Sequence, residues 1–145
     1  MLSVIVLMLP TVVPRLMGYE VYNVVSGSME PSIPMGSMIV VDHTDAAEVA
    51  SGDVIAFRSG NSVVTHRVTQ NRWLERRFVT KGDANHGEDL NTVSYESLVG
   101  VVIWHMPTLG GIVARMSTVL GKLYLFSLLI SGLLLNLISG RLRAL

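Results

Sequence analysis

The segment Ser62-Val63-Val64-Thr65-His66-Arg67-Val68-Thr69 is rich in β-branched residues and reads as a β-strand. Successive strand side chains point to opposite faces. Val64, His66 and Val68 therefore share one face, and Thr65, Arg67 and Thr69 share the other. His66 is thus expected on the apolar side of its strand. A lone histidine in that setting is ordinarily a core residue with its polar atoms satisfied.

Turn signals at Pro34-Met35-Gly36, Ser51-Gly52-Asp53, Ser59-Gly60-Asn61 and Gln70-Asn71 mark out the neighbouring segments. Strands are expected over Val21 to Ser26, Ser37 to Asp42, Asp53 to Arg58, Arg72 to Thr80 and Leu98 to Trp104. Asp45 to Ala50 has room for one helical turn. Met38 through Val41 reads as core. The connections are short, so residues 18–106 are expected to form a mostly β, compact antiparallel domain.

Apolar segments flank this domain. Residues 1–17 are apolar, with Pro10 and Pro14 near the end, and fall short of the ~20 residues that cross a bilayer. A helix there is expected to kink or end near Pro10. No Lys or Arg precedes the apolar run and no Ala-x-Ala site follows it, so it reads as a membrane anchor rather than a cleaved leader. Residues 107–122 form a connector. Leu123 to Gly140 is a run of 18 uncharged residues, the length of a transmembrane helix. Residues 141–145 are a basic tail with Arg141 and Arg143, which places that end on the cytoplasmic side and the β domain outside.

Composition narrows the function classes. Half of the 145 residues are hydrophobic, and the mean hydropathy of +0.49 is high for a soluble protein. The formal net charge is zero, so the broad basic footprint of a nucleic-acid binder is missing. There is no cysteine, which excludes disulfides, thiol catalysis and cysteine-ligated metals.

Two further stretches carry chemistry. Ser26-Gly27-Ser28-Met29-Glu30-Pro31 holds two hydroxyls in a short loop, with a flexible glycine between them and a proline to stiffen the end. Such a stretch alone is ordinarily a plain turn. Thr80-Lys81-Gly82-Asp83-Ala84-Asn85-His86-Gly87-Glu88-Asp89 is an acidic loop. With His66 between them, the chain presents serine, histidine and aspartate in order: a nucleophile, a base and a group to orient the base. On chemistry alone either Ser26 or Ser28 could react, once a neighbour accepts its proton. His86 beside Asp83 and Glu88 raises the question of a metal, but the loop lacks the EF-hand pattern and no HExxH occurs. Ser28 lacks the G-x-S-x-G elbow of α/β-hydrolases. His43 and His105 read as surface or interfacial residues.

Taken together, SGSMEP, THRV and KGDAN…ED resemble the type I signal peptidases, in the endoplasmic-reticulum and archaeal branch that has histidine where the common bacterial branch has lysine. The resemblance covers roughly Tyr19 to Gly111. It implies a membrane-bound serine endopeptidase that removes signal peptides from secreted precursors after small residues. It implies a signal-peptidase-like β fold between N- and C-terminal transmembrane helices, in a multi-pass protein with its catalytic domain outside the cytoplasm. It selects Ser28 as nucleophile, His66 as general base and Asp89 as the third member. Ser26, with the Ser28 backbone N–H, becomes the oxyanion support, and Asp83 organises the loop or the surroundings of the site. Glu88 stands where the family often has aspartate and reads as a solvated loop residue. No cofactor or metal is implied. Partners are secretory precursors and the lipid bilayer, with room for accessory subunits or a translocon. The resemblance also brings Met29, Ile33, Met35 and Met38 toward the membrane surface. Two rivals are a self-cleaving repressor-type protease of related fold and a catalytically inactive membrane scaffold or assembly subunit. The apolar flanks and the histidine oppose the first, and the complete Ser28, His66 and Asp89 oppose the second.

Overall fold

Among the described residues, seven strands build one antiparallel sheet in the order β1-β2-β7-β3-β4-β5-β6. They are β1 (Glu20–Asn23), β2 (Met38–Asp42), β3 (Val54–Ser59), β4 (Ser62–Arg72), β5 (Arg77–Lys81), β6 (Val93–Ser94) and β7 (Leu98–Met106). A 3₁₀ turn at Tyr95–Ser97 joins the last two. Helix α1 (Leu2–Leu16) precedes the sheet and helix α2 (Val119–Leu142) follows it. This computed structural model describes residues 2–109, 111 and 118–142. Met1, part of the expected connector and residues 143–145 of the expected basic tail lie outside the described residues.

The sheet is covered on both faces, so its central strands are apolar throughout rather than alternating. Met29, Ile33, Ile39, Val41, Ala56 and Val99 pack on one side, and Val49, Ile55, Phe57, Val68, Phe78 and Val93 on the other. Met38 through Val41 is fully in the core, as its sequence predicts. Met29, Ile33 and Met38 are buried in the β domain rather than lying at its surface, whereas Met35 is exposed.

Extra residues in three ladders re-aim the strands. Val99 is skipped between the Ala56–Gly100 and Phe57–Leu98 pairs, and Ile103 between Val40–Trp104 and Val41–Val102. Thr69 is skipped between Val68–Thr80 and Gln70–Val79. At Gly100 a side chain has no room, because a Cβ would stand 2.0 Å from the Asp42 carbonyl oxygen.

The Thr69 bulge explains a correction. Gln70-Asn71 is not a turn: β4 continues to Arg72, and the hairpin turns at Trp73 to Arg76, with Arg76 at φ 52°. Asn71 is held inside, its amide donating to the Ala46 and Val49 carbonyls and its Oδ1 accepting from Tyr95. A second correction concerns α1: of the kink or end expected near Pro10, only the end is ruled out, because Pro10 and Pro14 both lie within the helix. The prolines are four residues apart, so the N–H missing at Pro14 is the one that would have met the Pro10 carbonyl. The two defects therefore fall in adjoining turns. A third concerns the connector, because α2 begins at Val119 and takes Gly121 and Lys122 into the helix, with Thr118 Oγ1 accepting from the Gly121 N–H. Counted over the described residues, no helix is long and apolar enough to cross a membrane.

Candidate active site

His66 sits midway along β4, opposite Ile55 of β3. Its ring meets the Phe57 ring edge-on at 6.2 Å, on the same side as Val64 and Val68. The predicted strand face is therefore the one found. The imidazole is mostly enclosed, with 12% of the side chain exposed.

Asp89 is brought to it from the loop after β5. Its Oδ2 lies 2.6 Å from His66 Nδ1. The same oxygen accepts a hydrogen bond from Thr80 Oγ1 at 2.7 Å, and the Asp89 N–H donates to the Thr80 carbonyl at 2.8 Å. Thr80 is fully buried, and the Asp89 side chain is 22% exposed. With Nδ1 facing a carboxylate, Nδ1 carries the proton and Nε2 is the nitrogen left to act as a base.

Asp83 is not at the imidazole. It forms a two-pronged pair with Arg67, from Nε to Oδ1 at 2.8 Å and from Nη2 to Oδ2 at 2.6 Å. Arg67 neighbours His66 in the chain and so projects from the other face of β4. Its Nη1 also donates to the Gly52 carbonyl at 2.8 Å. The Arg67 hydrogen bonds pull the Asp83 carboxyl below the usual carboxylate range, burial opposes them, and Ser32 adds a smaller pull in the same direction. The pair holds the start of the acidic loop against the strand that carries His66.

That loop also grips the serines. The Ala84 N–H donates to the Ser28 carbonyl at 2.9 Å. Gly82 is buried against the same carbonyl, and a Cβ there would stand 2.7 Å from it. The Ser26 and Ser28 hydroxyls are 3.4 Å apart. Among the described residues the Ser28 hydroxyl bonds to Ser26 and His66 bonds to Asp89, with no direct bond between the two halves. Val64 lines the space on both sides: a cavity of about 210 Å³ that includes Ser26, Ser28 and Thr65, and one of about 460 Å³ that includes His66 and Asp89. Catalytic hydrogen bonds are commonly long before substrate binds.

The weaker candidates are placed as follows. His86 and Glu88 are exposed on the loop. Among the described residues no group of three or more His, Asp or Glu side chains is gathered that could hold a metal. His43 is largely exposed and bridges Glu20 and the Val99 carbonyl. Glu20 also accepts from Tyr22, whose phenol is pushed up to about 12, by burial first and then by that bond. Sequence reasoning missed Thr80, Arg67 and Gly82. The signal for Thr80 was a hydroxyl within the apolar run Phe78-Val79-Thr80, and that for Arg67 its place beside His66. Gly82 gave none, because its close approach is to a residue 54 positions away.

Residues 1–86 match the family described as Signal peptidase, peptidase S26. The match includes Ser26, Ser28, His66 and Asp83 and stops before Asp89. Over 89 residues the chain is 42% identical to signal peptidase I W of Bacillus subtilis (strain 168), covering 59% of this chain and 47% of that protein. Over 109 residues it is 27% identical to the signal peptidase complex catalytic subunit of Colletotrichum graminicola, covering 65% and 62%. The corresponding subunit of Metarhizium robertsii is 27% identical over 106 residues, with the same shares. The chain thus spans about half to three-fifths of the length of these curated relatives.

Proposed function

Because this chain belongs to the signal peptidase, peptidase S26, family, we propose that it is a membrane-bound serine endopeptidase that removes signal peptides from secretory precursors. The observation that carries the reading is the His66 Nδ1–Asp89 Oδ2 contact at 2.6 Å, buttressed by Thr80, beside a serine loop that the acidic loop holds in place. The steps follow from these atoms. Ser28 Oγ attacks the scissile carbonyl and gives its proton to His66 Nε2, while Asp89 stabilises the imidazolium. The Ser28 N–H and the Ser26 hydroxyl donate to the oxyanion. Collapse expels the new amine of the mature protein, which takes the proton from His66, and leaves the signal peptide as an ester on Ser28. Water, deprotonated by His66, then cleaves that ester. The 210 Å³ cavity beside Ser28, lined by Ile39, Val63 and Val24, suits small apolar side chains before the bond.

The bilayer enters through α2. Its 24 residues contain the whole uncharged run 123–140. In this reading that run and α1 hold the protein to the membrane, and the β domain lies outside the cytoplasm. The two fungal relatives are catalytic subunits of a signal peptidase complex, which supports accessory subunits as partners.

The inactive-scaffold reading draws on the Ser28 hydroxyl, which bonds to Ser26 and faces a cavity that does not include His66. Cleavage of a precursor with an Ala-x-Ala site, in liposomes, separates the two. Ser28→Ala is expected to lower the rate by at least ~10⁴-fold with melting unchanged. Equal cleavage by both proteins removes Ser28 as nucleophile, and a folded wild type that cleaves nothing supports the scaffold.

A further inference from the structure

β4 has an open edge at its start. Ser59 and Ser62 flank a two-residue turn and pair with each other, so Ser62, Val64 and His66 turn their backbone N–H and C=O toward β3. Val63 and Thr65 turn theirs the other way. β5 stops at Lys81, opposite Arg67, and does not reach them. Among the described residues no backbone hydrogen bond satisfies these outward groups. A free stretch of strand is a template for pairing with an extended peptide.

Two cavities lie on the two sides of this edge. The one of about 210 Å³ holds Ser28 with Met29 and Ile39, which belong to the cluster on one face of the sheet. The one of about 460 Å³ is walled by Phe57 and Val93, which belong to the cluster on the other face. Val64 lines both. Side chains of an extended peptide alternate between faces. With the first residue before the scissile bond in the cavity at Ser28, the third shares that face and the second points to the other.

We infer that the larger cavity is a pocket for the second residue before the bond, and that it selects a large apolar side chain there. The inference rests on the peptidase reading above. Phe57, Val64 and Val93 give the cavity an apolar wall, and Leu90, also on its lining, is fully exposed. A leucine or phenylalanine seated there removes this apolar surface from water. An acidic side chain in the same place loses hydration and meets the like charge of Asp89, which His66 and Thr80 already hold.

The test uses the full chain in detergent and peptides with Ala at the first and third positions before the bond and Leu, Ala or Asp at the second. Wild type is expected to favour Leu over Ala by about tenfold in kcat/KM, the scale of a few methylenes in a half-open pocket, and Leu over Asp by more. Val93→Phe fills part of the cavity and should bring the Leu-to-Ala ratio to one or below. Leu90→Lys changes a fully exposed side chain, so the fold is kept, and it should raise the Asp-to-Leu ratio by about threefold. Leu at the first position should block cleavage by all three proteins, because that position faces the smaller cavity; cleavage there equal to that of Ala would undo the assignment of faces. Peptide binding to Ser28→Ala, read by fluorescence anisotropy, should show the same Leu preference without turnover. That separates the two ideas: a Ser28→Ala protein that still cleaves defeats the serine mechanism, whereas equal binding and cleavage of the Leu, Ala and Asp peptides defeats the pocket. A Leu preference that survives unchanged in both Val93→Phe and Leu90→Lys also defeats it.

Discussion

Gly82→Ala is the most direct test of how the proposed catalytic set is assembled. A Cβ at Gly82 would lie 2.7 Å from the Ser28 carbonyl oxygen and 2.7 Å from Asn85 Nδ2. Asn85 is exposed and its side chain can swing aside. The Ser28 carbonyl is backbone and cannot. Ordinary carbon–oxygen contact begins near ~3.4 Å, so the two chains must part by ~0.7 Å or more. Overpacking costs ~1–3 kcal/mol, and stretching the bond from Ala84 to the same carbonyl costs a further ~0.5–1.5 kcal/mol. The sum, ~2–4 kcal/mol, should lower the melting temperature by ~10 °C or more. The rate should suffer separately. Displacing a nucleophile by ~1 Å typically costs on the order of 100-fold. Cleavage of an Ala-x-Ala precursor, assayed well below the melting temperature of the variant, should therefore fall by ~10- to 100-fold in kcat/KM. Gly87→Ala is the control, because nothing lies within 4 Å of its Cβ position, and it should cleave at the wild-type rate. A Gly82→Ala protein within twofold of wild type would show that the contact between the acidic loop and Ser28 does not set the geometry of the site.

Two further outcomes are expected. Thr80→Val keeps the buried volume but removes the hydroxyl that donates to Asp89 at 2.7 Å; a hydrogen bond to a charged group is worth ~1.5–3 kcal/mol, so kcat/KM should drop by ~10- to 100-fold while Thr80→Ser keeps most of the rate, and equal rates for all three proteins would show Asp89 is positioned by other groups. For Asp83, the Arg67 bonds depress the folded-state value, so this stability is complete above the unfolded carboxylate value of ~3.9 and is lost as pH falls through the lower folded value. Urea midpoints should fall steeply in acid for wild type and less steeply for Asp83→Asn, and superimposable acid limbs would remove the Arg67 pair as their cause.

Much of the fold could be read from local pattern. The alternation in Ser62 to Thr69 placed Val64, His66 and Val68 on one face, and the structure packs them so. The β-branched run at Met38 to Val41 read as core and is core. The misreadings share one cause. Gln70-Asn71 has turn chemistry, yet a bulge at Thr69 and the bonds of Asn71 to Ala46, Val49 and Tyr95 keep it in the strand. Met29 and Ile33 belong to a loop whose burial depends on elements that reach it only after folding.

The catalytic candidates divide along the same line. Residue type and order alone supplied a serine pair, a histidine and two aspartates, because the chemistry of acyl transfer restricts which side chains can serve. Which aspartate reaches the imidazole was not decidable from their spacing. Both lie in one loop, and only the packed sheet turns Asp89 to His66 while Arg67, on the opposite face of the same strand, takes Asp83. The seat of Ser28 is likewise tertiary, since Gly82 and Ala84 meet its carbonyl across more than 50 residues of chain. Sequence determines the period of each strand and the chemistry of each side chain, because both are local. Long-range contacts determine which of those side chains meet, because that depends on register and bulges set by several strands together.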